Sequence, residues 1–277
     1  MIFSKAKPGI GWRNICACVF MLSTTLIVTA KPSLAAYQKP KNSRVTTTET
    51  LPTGVRSETF SQDGLPLTLL APKYHVGSTQ LTHPTFAWYI PVETPLDVEF
   101  QVYEILGPDD FQKVLDTPVT FTSNQGVMSY TLPQDMDGLK PCTEYVWEIS
   151  LQYGTQRNET TEASAQIRVT EDAHAPTPFS GESLEPAEQL AASGLWYDAL
   201  GLLLTDIPAG PEANRLRDNL LTELAAIEAI DEAEAADDIE DTNEAEAANE
   251  AEATEPDDSG LSHSQSILEI INRLREP

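Results

Sequence analysis

Residues 139–151 read Leu139-Lys140-Pro141-Cys142-Thr143-Glu144-Tyr145-Val146-Trp147-Glu148-Ile149-Ser150-Leu151, and this stretch decides the fold. From Tyr145 onward every second residue is large and apolar, which is typical of a β-strand with one buried face. The spacing of Leu139, Pro141 and Tyr145 is that of a tyrosine corner, in which a buried Tyr hydroxyl bonds to the backbone a few residues upstream. Together the two patterns predict a late strand of an antiparallel β-sandwich.

The same alternation recurs before and after this stretch. It predicts short strands at 65–71, 84–91, 97–105, 113–121, 127–132, 144–153 and 164–170. Short strands separated by turn residues at this spacing favour two packed antiparallel sheets. We therefore expect a fibronectin-III/Ig-like antiparallel β-sandwich over residues 65–172.

Helical spacing replaces the alternation over residues 173–230. Pro186 suits the first turn of a helix, and Pro211 suits the start of another with an apolar stripe. Residues 194–200 resemble the second helix of a tetratricopeptide repeat. Because stacked repeats need about three units for stability, a helical hairpin packed on the sandwich or on itself is the preferred interpretation.

Acidic residues dominate the C-terminal part of the chain. Residues 228–258 contain fifteen acidic residues and no basic one, and like charges four positions apart oppose helix formation. We therefore predict a disordered acidic region over 231–260. Residues 261–277 then predict a short amphipathic helix with a capping box at 266–269. Its apolar face, which we expect to dock a protein partner, consists of Ile267, Ile270, Ile271 and Leu274.

The N-terminus has the pattern of a signal peptide over residues 1–35. Basic residues precede an apolar run at 15–30, and small residues favour cleavage between Ala35 and Ala36. The rival interpretation is an uncleaved membrane anchor, but the run is short for a bilayer span of roughly 20 residues. Cleavage is therefore preferred, and no transmembrane span is expected after it. The protein would be exported to the periplasm, the cell envelope or the exterior, and residues 36–64 would form a flexible leader.

Charge and motif content favour binding over catalysis. The net charge of −26 would become −30 on cleavage, which excludes a nucleic-acid partner because phosphates bind through Lys/Arg clusters. No metal-binding or nucleophilic motif is present among the histidines, so we expect no catalytic, cofactor or metal site. Weak, diffuse binding of divalent cations by the acidic region is the one ion interaction expected. Beyond residue 35, Cys142 stands alone, so no internal disulfide is expected.

Several stretches together resemble a known family. They are 67–72, 82–91, 100–104, 145–151 and 194–199, of which the string His83-Pro84-Thr85-Phe86-Ala87-Trp88 is the most specific. They are similar to the domain of unknown function 928 (DUF928) family of uncharacterised exported cyanobacterial proteins, with the likeness covering about residues 51–224. The resemblance implies a signal peptide and no assigned activity, and it transfers no functional residues.

These observations lead to one preferred function and two rivals. The preferred function is an exported, non-catalytic interaction module of the envelope or periplasm that binds a protein or an envelope glycan. An envelope hydrolase or carbohydrate-acting enzyme, with a site assembled on the sandwich, is the alternative. A third interpretation is an accessory of an outer-membrane or secretion complex that makes contact through residues 194–200. Exposed aromatic residues such as Tyr89 and Tyr103 on one sheet face would favour glycan or protein binding over catalysis.

Overall fold

The computed structural model describes residues 36–41, 43, 45, 61–62, 64–108, 110–153, 160–177, 179, 181, 183–246 and 261–275. The strands in this part of the chain are β1 (Ser61–Gln62), β2 (Leu65–Pro66), β3 (Thr68–Leu69), β4 (Gly77–Leu81), β5 (Thr85–Ile90), β6 (Asp97–Gly107), β7 (Asp110–Lys113), β8 (Val119–Thr122), β9 (Gly126–Thr131), β10 (Glu144–Gln152) and β11 (Thr160–His174). The helices are α1 (Glu185–Ala192), α2 (Trp196–Thr205), α3 (Pro211–Glu246) and α4 (His263–Arg275).

Two β-sheets pack face to face, as the alternating pattern predicted. The larger sheet has the order β4-β11-β10-β6-β7, with β8 also paired to β6, and the smaller has the order β3-β5-β9. Aromatic rings from both sheets meet between them: Phe86 of β5 lies 5.1 Å from both Phe100 of β6 and Trp147 of β10, measured between ring centroids. The alternation therefore placed the correct side chains in the interface.

The edges of the sheets differ from the prediction in two places. The single strand predicted at 113–121 is divided into β7 and β8, which pair with opposite ends of β6. Strand β4 was not predicted, because its sequence Gly-Ser-Thr-Gln-Leu lacks apolar alternation. It pairs in parallel with β11, so the larger sheet is mixed rather than purely antiparallel.

Helix α2 joins the two sheets. It packs against β4 of the larger sheet and β5 of the smaller one. The buried Tyr197 hydroxyl accepts a hydrogen bond from Trp147 Nε1 at 2.8 Å and donates one to the Gln166 carbonyl at 3.2 Å. Strand β5 is consequently buried on both faces, not on one as its alternation predicted. The segment that resembles a tetratricopeptide repeat thus covers the sandwich.

The predicted flexible leader contains packed residues. The ring of Tyr37 is 3 % exposed and lies 5.0 Å from the ring of Trp196 in an edge-on arrangement. The backbone N–H of Gln38 donates to the Ala191 carbonyl at 3.1 Å. Farther along, β1 and β2 pair with each other. The prediction for 36–64 is therefore wrong at these positions, since Tyr37, Gln38 and Lys39 all contact the helices.

The acidic region begins as helix. Helix α3 continues to Glu246, past the boundary predicted at residue 230, and 247–260 lie outside the described residues. Ala and Glu both have high helix propensity, and the first acidic side chains of the region bind groups of other segments. For example, Glu232 accepts hydrogen bonds from Tyr74 and Ser264 at 3.2 and 3.1 Å. The charge repulsion on which the disorder prediction rested is offset there.

The C-terminal helix packs on the rest of the protein. Helix α4 contacts α3, β2 and β3, and Ile267, Ile270 and Ile271 are at most 2 % exposed. Leu274 packs against the same core. The expectation that this face docks a partner is therefore wrong: the apolar stripe was recognised, but the surface that covers it lies in the same chain.

The start of α4 also differs from the prediction. Its capping box is Ser262 with Gln265, four residues before the predicted one: Gln265 N–H donates to Ser262 Oγ at 3.3 Å, and Ser262 N–H donates to Gln265 Oε1 at 3.1 Å. The predicted cap residue, Ser266, is instead the fourth residue of the helix and is buried. Among the helices that the structure describes, none combines the length and hydropathy needed to cross a membrane.

Candidate functional site

A buried histidine faces two carboxylates beside the sandwich. The side chain of His75, which precedes β4, is completely buried, and its Nδ1 lies 3.1 Å from Asp231 Oδ2 and 3.2 Å from Glu228 Oε1. Glu228 and Asp231 are three positions apart on α3, a spacing that places both on one side of the helix. His75 Nε2 lies 3.2 Å from the Tyr37 hydroxyl. We call His75, Glu228 and Asp231 the His75 cluster.

Backbone groups hold one side of Glu228. Its Oε2 accepts hydrogen bonds from the N–H groups of Lys73 and Tyr74, at 3.0 and 3.3 Å. Its Oε1 is buried and has no hydrogen-bond partner among the described residues, although His75 Nδ1 is only 3.2 Å away. The two facts agree because Nδ1 carries at most one hydrogen, and the geometry directs that hydrogen to Asp231.

Charged and neutral groups surround the cluster. Lys39 Nζ lies 2.5 Å from Asp231 Oδ1, and its side chain is 37 % exposed. His263 Nε2 is 3.0 Å from the Ala71 carbonyl and 3.9 Å from Glu228 Oε2. Burial lowers the pKa of His263 and so favours its neutral form. Buried carboxylates need nearby positive charge or hydrogen bonds, and here Lys39, His75 and the backbone supply them.

A second group of carboxylates lies on the outer face of the larger sheet. Ser150 of β10 pairs with Glu99 of β6 on one side and with Glu162 of β11 on the other, so the three residues form a row. Glu148 lies on the same face one row away, opposite Ser164. Partial burial, together with the charge of Glu148, raises the pKa of Glu162 to about 7. Asp97 lies two positions before Glu99 on β6 and so on the same face. We call Asp97, Glu99, Glu148 and Glu162 the outer-face carboxylates.

The predicted corner residues lie together. The Tyr145 hydroxyl accepts a hydrogen bond from the Lys140 N–H at 2.8 Å, and Leu139 is buried, while Pro141 occupies the turn between them. Cys142 is exposed and has φ of +57°, which is a left-handed conformation that favours glycine. At the predicted cleavage site, Ala36 is exposed and Ala35 lies outside the described residues.

The other residues singled out from the sequence have structural contacts. His83 Nε2 bonds to the Met136 carbonyl at 3.1 Å, and His174 Nδ1 to the Asp172 carbonyl at 3.3 Å. Tyr89 and Tyr103 are 4 % and 8 % exposed. The aromatic pair that would have favoured glycan binding is therefore not a solvent-facing platform.

Sequence reasoning missed the His75 cluster. His75 is more than 150 positions away from Asp231, so no local motif joins them. The spacing of Glu228 and Asp231 was visible, but it was one of many acidic pairs in a stretch interpreted as a solvated tail. The other available signal was an aromatic residue, Tyr37, in the segment predicted to be a flexible leader, since such a residue can pack against the folded part of the chain.

The comparisons with known proteins place the chain in a family. Residues 51–234 match the family described as Domain of Unknown Function (DUF928), and no curated protein matches the chain. The match covers well over half of the 277 residues and includes both sheets and the His75 cluster. Lys39 and Tyr37 precede it, and α4 follows it. The chain therefore belongs to the DUF928 family.

Proposed function

We propose that the protein is an exported, non-catalytic binding module of the cell envelope or periplasm, and that its contact surface is the outer face of the larger sheet. The N-terminal signal-peptide pattern supports the export part of the proposal. The row formed by Glu99, Ser150 and Glu162 carries the binding part, since it holds two carboxylates in fixed register on either side of Ser150 across three adjacent strands.

The charge of this face selects the class of partner. Asp97 and Glu162 are exposed and Glu99 is half-buried, and the whole chain carries a formal charge of −26. Complementary charge raises the association rate and fixes the orientation of a complex. A protein with a basic patch fits this face better than a glycan does, because Tyr89 and Tyr103 are buried and no longer favour sugar stacking.

The test is in-cell crosslinking followed by purification and mass spectrometry of the bound proteins. The test variant is D97K/E162K on the outer face. The matched control is E185K/E212K, which makes the same charge change at exposed positions in the first turns of α1 and α3. The proposal expects a reproducible protein partner that is retained by the control and lost from D97K/E162K.

Two outcomes contradict the proposal. Equal loss of the partner from both variants would mean that net charge alone attracts it. Failure of the wild-type protein to retain any partner above background would remove the basis for a protein-binding module.

One observation favours a carbohydrate-acting enzyme as a second candidate. Glu162, with a pKa raised to about 7, is near a second carboxylate, Glu148, and glycosidases use two carboxyl groups, one of which is a general acid of raised pKa. The test is incubation with soluble cell-wall glycan fragments and chromatography of the products. Enzymatic activity requires cleavage that E162Q and E148Q both abolish and that E212Q retains. Cleavage unchanged in E162Q contradicts this candidate.

A further inference from the structure

We infer that the His75 cluster is a binding site for a divalent first-row transition-metal ion, with His75 Nδ1, Glu228 Oε1 and Asp231 Oδ2 as its ligands. This site lies beside α3 and is independent of the outer-face binding surface proposed above. It also differs from the diffuse cation binding expected of the acidic region, because it specifies three ligand atoms and one ion.

Two of the three ligand-atom distances already match those of a metal site. Nδ1 is 3.1 Å from Oδ2 and 3.2 Å from Oε1, and all three atoms lie within 4.8 Å of one another. In a tetrahedral zinc site with metal–ligand distances of about 2.0–2.2 Å, neighbouring ligand atoms are roughly 3.3–3.6 Å apart. An ion can therefore enter with small side-chain movements.

The unpaired oxygen of Glu228 is the observation that points to a ligand. Without an ion, the single hydrogen on His75 Nδ1 serves Asp231 and leaves Oε1 buried with no hydrogen-bond partner in the part of the chain that the structure describes. A buried carboxylate oxygen in that condition is costly. A metal ion that replaces this hydrogen can bind Nδ1 and both carboxylates at once. It therefore also satisfies Glu228 Oε1, which the single hydrogen cannot reach.

The surroundings suit a metal site. The N–H groups of Lys73 and Tyr74 orient Glu228 through its other oxygen. The Tyr37 hydroxyl lies at His75 Nε2 and can accept the hydrogen that this nitrogen carries when Nδ1 binds metal. Such outer contacts are typical of metal-bound histidine and carboxylate ligands.

The ligand types select the class of ion. Imidazole suits zinc and similar transition metals, whereas calcium and magnesium prefer oxygen ligands alone. We therefore use Zn²⁺ as the probe.

Lys39 controls entry to the site. Its Nζ contacts Asp231 Oδ1, the oxygen that is not a proposed ligand, at 2.5 Å on the partly exposed side of the cluster. In the absence of an ion, Lys39 supplies the positive charge that compensates Asp231. A bound dication takes over this role, so the lysine side chain can move into solvent when the ion binds. Lys39 thus competes with the metal, and its removal should strengthen metal binding.

The experiment is calorimetric titration of EDTA-treated protein with Zn²⁺, together with thermal unfolding with and without the ion. Wild type should bind one ion tightly and unfold at a higher temperature when it is present. D231N should bind at least about 10-fold more weakly, since loss of an outer contact alone costs that much. K39A should bind about fivefold more tightly, which corresponds to removal of a partly exposed ion pair.

The control is E234Q, which removes the same charge from an exposed position on the same helix and should leave the affinity unchanged. Co²⁺ provides a second measurement that does not depend on the stability of D231N: its visible spectrum should change on binding to wild type and K39A. The inference is overturned if wild type takes up no ion at a one-to-one ratio. It is also overturned if D231N, E234Q and wild type bind Zn²⁺ equally, because binding is then diffuse.

Discussion

Replacement of Tyr197 by Phe tests how the helical segment is joined to the sandwich. The substitution removes one hydroxyl oxygen and changes little else in volume. That hydroxyl accepts a hydrogen bond from Trp147 Nε1 at 2.8 Å and donates one to the Gln166 carbonyl. Trp147 is 0 % exposed, so no water can replace the lost acceptor without rearrangement of the core.

The expected cost follows from the unpaired indole N–H. A buried donor without a partner costs about 1–3 kcal/mol, and we expect about 2 kcal/mol for Tyr197→Phe. For a domain of 150–250 residues, this loss lowers Tm by roughly 4–8 °C. Urea unfolding followed by tryptophan fluorescence gives the free energy, and calorimetry gives Tm.

The matched control is Tyr130→Phe. Tyr130 packs its ring against Phe100 and Phe121, and its hydroxyl has no hydrogen bond to another residue in the part of the chain that the structure describes. We expect a change within about 0.5 kcal/mol for this variant. If Tyr197→Phe also costs less than about 0.5 kcal/mol, the hydroxyl does not hold α2 to the two sheets and the reasoning is refuted.

Three further predictions concern the same fold. Gly77→Ala should destabilise by about 1–3 kcal/mol, because its Cβ would lie 2.7 Å from Tyr197 Cε2; an unchanged urea midpoint would contradict this. Cys142→Gly should change stability by less than about 1 kcal/mol, whereas Cys142→Val should be clearly less stable, since φ of +57° disfavours β-branched residues; equal midpoints for both variants would argue against it. Burial raises the pKa of Asp198 to about 6, so the folded state binds this proton more tightly than the unfolded one does. The stability of wild type relative to Asp198→Asn should therefore fall by up to about 3 kcal/mol as the pH rises from 4 to 7; a difference that stays constant over this range would show that Asp198 does not titrate as inferred.

The sandwich could be predicted because its evidence is local. Alternation over 97–105 and 145–151 assigns each side chain to a face, and the structure places Phe100 and Trp147 in the core accordingly. Strand β4 was not predicted because its composition does not favour a strand. It is a strand because it pairs in parallel with β11. Its burial depends on α2, which is more than a hundred positions away.

The candidate site could not be predicted for a related reason. The acidic residues of α3 repel one another when they face solvent, but they can be compensated when they face a buried imidazole. Charge repulsion along 228–258 suggested disorder, yet Lys39, His75 and two backbone N–H groups compensate the first of these charges. Such compensation comes from distant segments, so no window of sequence contains it.

The sequence by itself determined the faces of the alternating strands such as β6 and β10, the corner at Tyr145, the helical periods of residues 186–230 and the apolar face of the terminal helix. Those features depend on neighbours within a few positions, where backbone geometry fixes which side chains share a face. Only the tertiary structure decided what covers each face: Tyr37 docks on Trp196, α4 closes on α3, and Glu228 and Asp231 meet His75. Burial and electrostatic compensation depend on contacts between distant segments. For this reason, residues that the sequence assigned to a leader, an acidic tail and a partner-binding helix are packed together in the structure.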